Sequence, residues 1–417
     1  MQRHPAFTFI SALTLTVVIY IHPAVAQIKV RVETVSGKPA SGRLLRLTDS
    51  QVELQTESGS RESVERQRVL AVSATDFDGI RVPAVSKSPW LFLSTGDRLR
   101  MTPLLVDDEN IVASWSSFSV LPPVSLPLEL CRGLMMSVPA ATVQQGHAFD
   151  RLLSHQEDVD RITLSNGDRI DGEFISLRDE QITLDTSIGE VQTRIDQVRS
   201  LAFNPELVSK PGSFDPSVAI IELSDGSSFH VRTLVSDGNL IIAESVGGFE
   251  LSIPVTALRA IRFYDSNRVD LSRLEPSGIS ITPYLSMRRE PKTNRNVIGG
   301  FMSLRGRLIP AGFGVTSGTR QTWKLDRKYT QFRATVGIDD AAQEAGSVVF
   351  QVLVNETVAW QSQMLTGSSE PVEIPPVDLS EADELSLVVL FADRGNVLDY
   401  ADWCDPFLIR KPENTTD

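Results

Sequence analysis

Alternating apolar and polar residues recur along this chain in short runs that flank glycine-containing turns. The clearest run covers residues 161–175, whose two arms lie on either side of Asn166-Gly167. Alternation with a period of two is typical of a half-buried β-strand, and Asn-Gly between two such runs predicts a β-hairpin closed by a type I′ turn. A second hairpin is predicted around Gly189, followed by a helical turn and a last strand within residues 195–203.

The same pattern occurs four times, although the second copy is degraded by a proline-rich tail. Its turn glycines are 59, 71 and 59 residues apart, at Gly37, Gly96, Gly167 and Gly226. A repeat of about 60 residues that contains about five short strands is therefore predicted. The predicted copies cover residues 27–75, 89–145, 160–204 and 217–264.

Five bent strands in so short a unit most economically form a small β-barrel, because closing the sheet hides its edges. In pattern the copies resemble small SH3-like or Sm-like barrels, such as those repeated in envelope proteins of some bacteria. That resemblance implies either a scaffold that binds protein partners or a row of passive spacers, and fold alone does not choose between them. One short helix is predicted at residues 147–160.

The last third of the chain carries three spaced motifs separated by apolar, strand-like runs. The motifs are Gly312-Phe313-Gly314-Val315, Val336-Gly337-Ile338-Asp339-Asp340 and Asp399-Tyr400-Ala401-Asp402-Trp403. In order and spacing, residues 269–411 resemble the NPCBM family of carbohydrate-binding modules, which are often attached to family 98 glycosyl hydrolases. The resemblance implies a jelly-roll β-sandwich with a galactose-binding-like fold. The whole chain is then expected to be an all-β protein of tandem barrel-like repeats followed by this sandwich.

The resemblance also directs attention to residues that could bind a glycan. Sugars present C–H faces that stack on aromatic rings, and hydroxyl groups that need planar donors and acceptors. We expect Asp399, Asp402 and Trp403 to supply such groups from one loop, and Asp339 and Asp340 from another. These five residues are the predicted carbohydrate-binding site.

Each of these residues also has a structural interpretation. Trp403 could close the sandwich core, since large aromatic side chains are mostly buried. Asp339 and Asp340 could form the turn that follows a strand. Asp399 and Asp402 could satisfy backbone donors or ligate a structural Ca²⁺, because the resemblance extends to family 51 carbohydrate-binding modules, which have calcium.

The C-terminal segment departs from the family pattern at two points. Thr316 stands where the family usually has histidine, and residues 274–285 lack the tryptophan expected near the start of the module. If either position normally contacts the ligand, this copy binds weakly, binds another glycan or keeps only the fold.

Composition narrows the classes of function. A formal net charge of −13 argues against nucleic acid as a partner, because phosphate binding favours a basic surface. The five histidines show no zinc-binding spacing, no nucleophile elbow is present, and no segment alternates strands and helices as a catalytic barrel does. We therefore predict that the protein is not an enzyme. Cys131 and Cys404 are expected to be free thiols in different domains.

The N-terminus has the features of a secretory signal peptide. Arg3 precedes an apolar run at residues 7–21, and Ala24-Val25-Ala26 follows. A membrane anchor is the alternative, but the run is short of the about 20 residues that cross a bilayer. Residues 1–26 are thus predicted to direct export to the periplasm, cell surface or exterior. The leading hypothesis is a secreted, non-catalytic glycan-binding protein; the alternatives are an envelope assembly protein and an accessory subunit of a glycosyl hydrolase.

Overall fold

Strands dominate the computed structural model of the protein. The described residues are 28–75, 88–106, 109–209, 219–264, 267–285, 288–393 and 395–411, so the predicted signal peptide lies outside them. About 55% of the chain is in strands and 8% in helices, which confirms the prediction of an all-β protein. No helix in the described part of the chain is both long and apolar enough to cross a membrane.

Four N-terminal units share one order of strands. Unit 1 contains β1 (Lys29–Thr34), β2 (Ala40–Leu47), β3 (Gln51–Gln55), β4 (Arg61–Glu65) and β5 (Val69–Ala74). Unit 2 contains β6 (Trp90–Leu93), β7 (Arg98–Leu99), β8 (Met101–Val106), β9 (Asn110–Trp115), β10 (Val124–Pro127) and β11 (Cys131–Met135). Here β7 and β8 together take the place of the second strand, so that β10 is the fourth strand and β11 the fifth. After helix α1 (Thr142–Leu153), unit 3 contains β12 (Asp160–Leu164), β13 (Arg169–Arg178), β14 (Gln181–Thr186), β15 (Gly189–Arg194) and β16 (Val198–Ala202). Unit 4 contains β17 (Ala219–Leu223), β18 (Ser228–Ser236), β19 (Leu240–Ser245), β20 (Glu250–Pro254) and β21 (Leu258–Phe263).

A bend in the second strand shapes each unit. In unit 3, the first part of β13 pairs with β12 and the later part pairs with β14, with a register shift between Phe174 and Ser176. Such a β-bulge bends a strand and increases its twist. The last strand, β16, returns to pair with β12. Within the described residues the fourth strand pairs only with the third, so the sheets are bent like a barrel but do not close as predicted.

The turn after the first strand differs from the predicted type I′ hairpin. In unit 3, the Gly167 amide donates to the Leu164 carbonyl at 2.9 Å. The equivalent glycines of the other units, Gly37, Gly96 and Gly226, each donate to the carbonyl three residues earlier at 3.0 or 3.1 Å. Gly167 has φ of 100°, whereas Asn166 is not among the residues with positive φ. A type I′ turn requires positive φ at both central residues. Each of the four is instead a tight turn that ends at a glycine with positive φ. The sequence pattern predicted the positions of these glycines correctly but not the type of turn.

The units associate in pairs through their fifth strands. Strand β5 of unit 1 pairs antiparallel with β21 of unit 4, with Val72 opposite Ile261. Strand β11 of unit 2 pairs in the same way with β16 of unit 3, with Leu134 opposite Leu201. Each pairing satisfies a strand edge that would otherwise be open. Units 1 and 4 are therefore joined in one pair and units 2 and 3 in another, and a bridge between Ser228 of unit 4 and Arg98 of unit 2 connects the two pairs.

The C-terminal module is a β-sandwich. Its strands are β22 (Arg268–Asp270), β23 (Gly278–Ile281), β24 (Lys292–Thr293), β25 (Met302–Leu304), β26 (Arg307–Ile309), β27 (Gly312–Thr316), β28 (Thr319–Lys324), β29 (Tyr329–Ile338), β30 (Ser347–Val354), β31 (Thr357–Gln361), β32 (Leu365–Thr366), β33 (Val372–Glu373), β34 (Val377–Asp378), β35 (Glu384–Phe391) and β36 (Tyr400–Arg410). One sheet has the order β24-β27-β36-β29-β33, with β22 and β34 at its sides. The facing sheet has the order β23-β28-β35-β30-β31, and β25 and β26 form a separate hairpin. The predicted sandwich is confirmed.

Helix α1 packs between the repeats and the module. Its Phe149 ring lies 5.7 Å from Phe92 of unit 2 and 4.6 Å from Phe301 of the module. Asp150 accepts hydrogen bonds from Lys292 and Arg295 of the module. The helix begins five residues before its predicted start and ends at Leu153, because its apolar face continues the cluster that joins the domains.

A buried charge network joins unit 4 to the module. Asp405 lies at a β-bulge in β36 with φ of 50°, which turns its carboxyl out of the sheet. One oxygen lies 3.0 Å from Arg262 Nε of unit 4, and the other lies 2.5 Å from Arg268 Nη2. Arg262 also pairs with Glu222, and Arg268 with Asp270. Although burial opposes it, the two guanidinium groups lower the pKa of Asp405.

Replacing Asp405 should weaken the union of the repeats and the module. We expect Asp405→Asn to lower the free energy of unfolding by about 3–5 kcal/mol, because it leaves two buried guanidinium groups without their shared carboxylate. Urea unfolding at neutral pH measures the change. Asp383→Asn is the matched control, since Asp383 pairs with the exposed Arg327 and such pairs contribute about 1 kcal/mol or less. Equal effects of the two substitutions would contradict the role of the network.

Candidate functional site

Strand β36 carries two of the five predicted site residues, Asp402 and Trp403, and a third, Asp399, directly precedes it. The strand is buried on both faces. The prediction that this segment is a loop is wrong from Tyr400 onward, because residues 400–410 pair with β27 and β29. Trp403 points into the sandwich core, where it is only 1% exposed and meets Phe350 edge-on at 5.1 Å between ring centroids. The structure thus favours the core interpretation of Trp403 over sugar stacking.

Asp339 and Asp340 follow β29 and fasten the segment that contains the β25–β26 hairpin. Asp339 accepts hydrogen bonds from the side-chain amide of Asn296 at 3.0 Å and from the Ser303 amide at 2.9 Å. Asp340 accepts from the amide of Arg305 at 2.8 Å and from the next amide at 2.7 Å. The turn interpretation also holds for Asp339, whose carboxylate accepts from the amide two residues later, at the start of a 3₁₀ turn.

Asp402 lies on the outer face of the same sheet, in a space created by two glycines. Its neighbours across the ladder are Gly314 in β27 and Gly337 in β29. A Cβ atom at Gly314 would lie 2.5 Å from the backbone of Asn296, and one at Gly337 would lie 3.0 Å from Leu304. Glycine is therefore required at both motif positions so that the 295–304 segment can cover Asp402, which is fully buried.

Asp402 and Asp339 are neighbouring buried carboxyl groups. No hydrogen-bond partner within the described residues reaches either oxygen of Asp402. Two carboxylates that are buried side by side repel each other, so the protonated form of one of them is favoured. Burial raises the pKa of Asp339 to about 6, against the hydrogen bonds that it accepts. Burial and the adjacent Asp339 charge raise the pKa of Asp402 well above its usual value, so Asp402 is the carboxyl of the pair that favours the protonated form.

Asp399 precedes β36 and fastens the loops at one end of the sandwich. Its two oxygens accept hydrogen bonds from Ser317 Oγ at 2.6 Å and from the Ser347 amide at 2.8 Å. Asp399 and Asp402 thus engage different partners. In the part of the chain that the structure describes, no three His, Cys, Asp or Glu side chains converge as metal ligands.

An exposed aromatic rim lies at this end of the sandwich. We name it the apical rim and define it as Tyr284, Leu285, Phe391, Gly395 and Val397. The Tyr284 ring is 57% exposed and lies 5.6 Å from the Phe391 ring. Gly395 has φ of 70°, and a Cβ atom there would lie 2.8 Å from the Tyr284 ring, so glycine lets the ring lie against the loop. This surface offers the aromatic platform that the buried Trp403 does not.

Sequence reasoning did not select Tyr284, although a signal was present. Tyr284 lies in the 274–285 stretch, which was noted for lacking the family's tryptophan. Tyr284 is an aromatic residue in the stretch where the family has its tryptophan, and this position could have indicated a binding role. The predicted residues instead fasten the loops around the rim: Asp399 connects the loops of Ser317 and Ser347, and Gly318 lies against Phe391.

Comparison with known proteins assigns the sandwich to a family. Residues 269–409 match the NPCBM/NEW2 domain family. The C-terminal module is an NPCBM/NEW2 domain. This family is one of carbohydrate-binding modules, as the sequence resemblance implied. The match covers the C-terminal third of the chain and leaves the four repeat units outside it. No curated protein matches the chain.

Several solved structures are similar to parts of the chain. A CBM51 module from Clostridium perfringens GH95, solved with methyl-galactose, is 22% identical and covers 34% of this chain and 99% of its own, with a TM-score of 0.31. The CBM51-2 and INT domains of Clostridium perfringens ZmpB are 24% identical, cover 41% of this chain and 36% of their own, and have a TM-score of 0.32. The tandem CBM51 modules of Sp3GH98 from Streptococcus pneumoniae are 9% identical, cover 60% and 88%, and have a TM-score of 0.31. This chain thus spans little more than a third of the ZmpB structure.

The raised pKa values of Asp339 and Asp402 predict a pH-dependent stability. Both carboxyls have a folded pKa above the ordinary value of about 3.9, so the folded state binds more protons than the unfolded state above that pH. The stabilisation is complete below about pH 4 and is lost as the pH rises through about 6 and beyond. We expect Asp402→Asn to reduce the pH dependence of the free energy of unfolding, because an amide can donate to Asp339 and does not ionise. Urea unfolding across this pH range measures it.

The reverse substitution is the matched control. Asp339→Asn places an amide NH₂ against donors from Asn296 and Ser303, so we expect it to cost about 1–3 kcal/mol at every pH. If Asp402→Asn destabilises the protein at pH 8 as much as Asp339→Asn does, Asp402 is not the carboxyl of the pair that favours the protonated form.

Proposed function

We propose that this protein is a non-catalytic glycan-binding protein whose NPCBM module contacts the sugar at the apical rim. The observation that carries the proposal is the match of residues 269–409 to a family of carbohydrate-binding modules. The exposed face of Tyr284 supports the location, because a sugar ring can stack its C–H face on an aromatic side chain. The carbonyl and hydroxyl groups of the surrounding loops can then orient the sugar hydroxyls.

A non-catalytic role is supported by the position of the predicted carboxyls. Glycoside hydrolysis needs two carboxyl groups at the scissile bond, whereas Asp339, Asp399 and Asp402 are all buried, and Asp339 and Asp399 accept hydrogen bonds from internal donors. Export to the periplasm, surface or exterior is proposed from the signal-peptide pattern of residues 1–26. The four units would then present the module and stiffen its attachment.

Removing the Tyr284 ring should remove glycan affinity. We expect Tyr284→Ala to weaken binding by about tenfold or more, since the aromatic platform disappears while the exposed position leaves the fold intact. A glycan array first identifies a ligand for the wild-type chain, and calorimetric titration with that glycan measures the change. Tyr284→Phe, which keeps the ring, should bind within about twofold of the wild type.

The outcomes separate the hypotheses. Trp403→Ala is unsuitable as a site test, because truncating this buried ring costs about 3–5 kcal/mol of stability. A wild-type chain that binds no glycan on the array would support the envelope-assembly alternative. Glycan binding that Tyr284→Ala leaves unchanged would keep the function but remove the rim as its site.

A further inference from the structure

A cleft between unit 1 and the NPCBM module has the features of a second binding site. It encloses about 270 Å³ between β1 and the following turn on one side and the outer face of the β29–β36 sheet on the other. It shares no lining residue with the apical rim. Because unit 1 supplies one wall, the cleft exists only when the repeats and the module are joined.

Charged side chains of both signs line this cleft without cancelling one another. Arg31 and Glu33 come from unit 1, and Arg333 and Glu373 come from the module. None of these four takes part in an ion pair within the described residues, although all of them face the same space. Planar guanidinium and carboxylate groups held apart in this way can donate to and accept from neighbouring hydroxyl groups of one ligand.

Arg333 is the group that most needs a partner. Its Nη2 donates to Gln331 Oε1 at 3.1 Å, but its Nε is buried and meets no acceptor within the described residues. A buried donor without an acceptor costs about 1–3 kcal/mol, and such groups are rare in native proteins. Arg333 lines the cleft, so a ligand oxygen there can accept a hydrogen bond from its guanidinium group.

The apolar residues at the bottom of the cleft and the charged residues around it indicate which class of ligand the cleft can bind. Leu304, Ile309 and Phe407 provide an apolar surface beneath the charged groups, which suits the C–H face of a sugar ring. Four arginines, Arg31, Arg262, Arg307 and Arg333, and three acids, Glu33, Glu373 and Asp405, line the cleft, and Arg262 and Asp405 at its edge neutralise each other. The lining therefore presents hydrogen-bond donors and acceptors of both signs with little net charge. Such a lining favours a neutral polyhydroxylated ligand over an anion.

We propose that this interdomain cleft binds one neutral saccharide unit as a second site of the protein. The inference rests on the proposed glycan binding of the chain, but it places an additional site where unit 1 takes part. The repeats then contribute to recognition, and two sites on one chain would raise its avidity for a long glycan.

The test compares substitutions on the two walls of the cleft and at the rim. The full chain is titrated with methyl galactoside, methyl glucoside and N-acetylglucosamine, each at millimolar concentration, and binding is followed by protein NMR and calorimetry. We expect two sites in the wild type. Arg333→Gln and Glu33→Gln should each weaken the cleft site by about tenfold, as loss of hydrogen bonds to a charged group does, and leave the rim site unchanged. Arg288→Gln is the control, since Arg288 lies outside the cleft and pairs with the exposed Glu290.

The rim variant makes the two proposals distinguishable. If Tyr284→Ala removes all saccharide binding and the cleft variants change nothing, the second site is refuted while the proposed function stands. If Tyr284→Ala leaves one site that Arg333→Gln and Glu33→Gln abolish, the cleft is confirmed. Binding of galacturonate or glycine at the cleft in preference to every neutral sugar would also refute the proposal, because the ligand class would be ionic.

Discussion

Asp405 and the two arginines that share its carboxylate connect everything else in this protein. The β-bulge in β36 turns Asp405 out of the NPCBM sheet. There it pairs with Arg262, which lies on the last strand of unit 4. Unit 4 is in turn paired with unit 1 through β21 and β5. Together with the contacts of helix α1, this carboxylate holds the module against the repeats, because desolvated charges tolerate little displacement from their partners.

Burial on both faces makes β36 the central strand of the module. Its inner face contributes Trp403 to the sandwich core, and its outer face contributes Phe407 and Ile409 to a contact with Leu70 of unit 1. Between them, Asp402 lies under the 295–304 segment, which Asp339 fastens. A strand with these neighbours presents no side chain at the apical rim, and the ligand-binding groups there must come from the loops at its end.

Much of the fold could be predicted, because it depends on local patterns. Alternation and turn glycines such as Gly167 identified the repeat units, and the spacing of Gly314, Asp339 and Trp403 identified the module. The site was harder, because a motif does not distinguish a residue that binds ligand from one that holds the backbone. Asp402 was selected for its chemistry, but its burial depends on Gly314 and on a covering segment that is distant in sequence. Pairing between units could not be predicted either, since every fifth strand has similar apolar character.

The pairing of the first unit with the fourth has a consequence for biosynthesis. Strand β5 finds its partner β21 only after almost 190 further residues have been made, whereas units 2 and 3 are neighbours in the chain. Contacts of such long sequence separation form slowly, and an unpaired apolar edge is prone to join with other chains in the meantime. The emerging unit 1 is then the part of the polypeptide most in need of a chaperone until unit 4 has been made and β21 covers its edge.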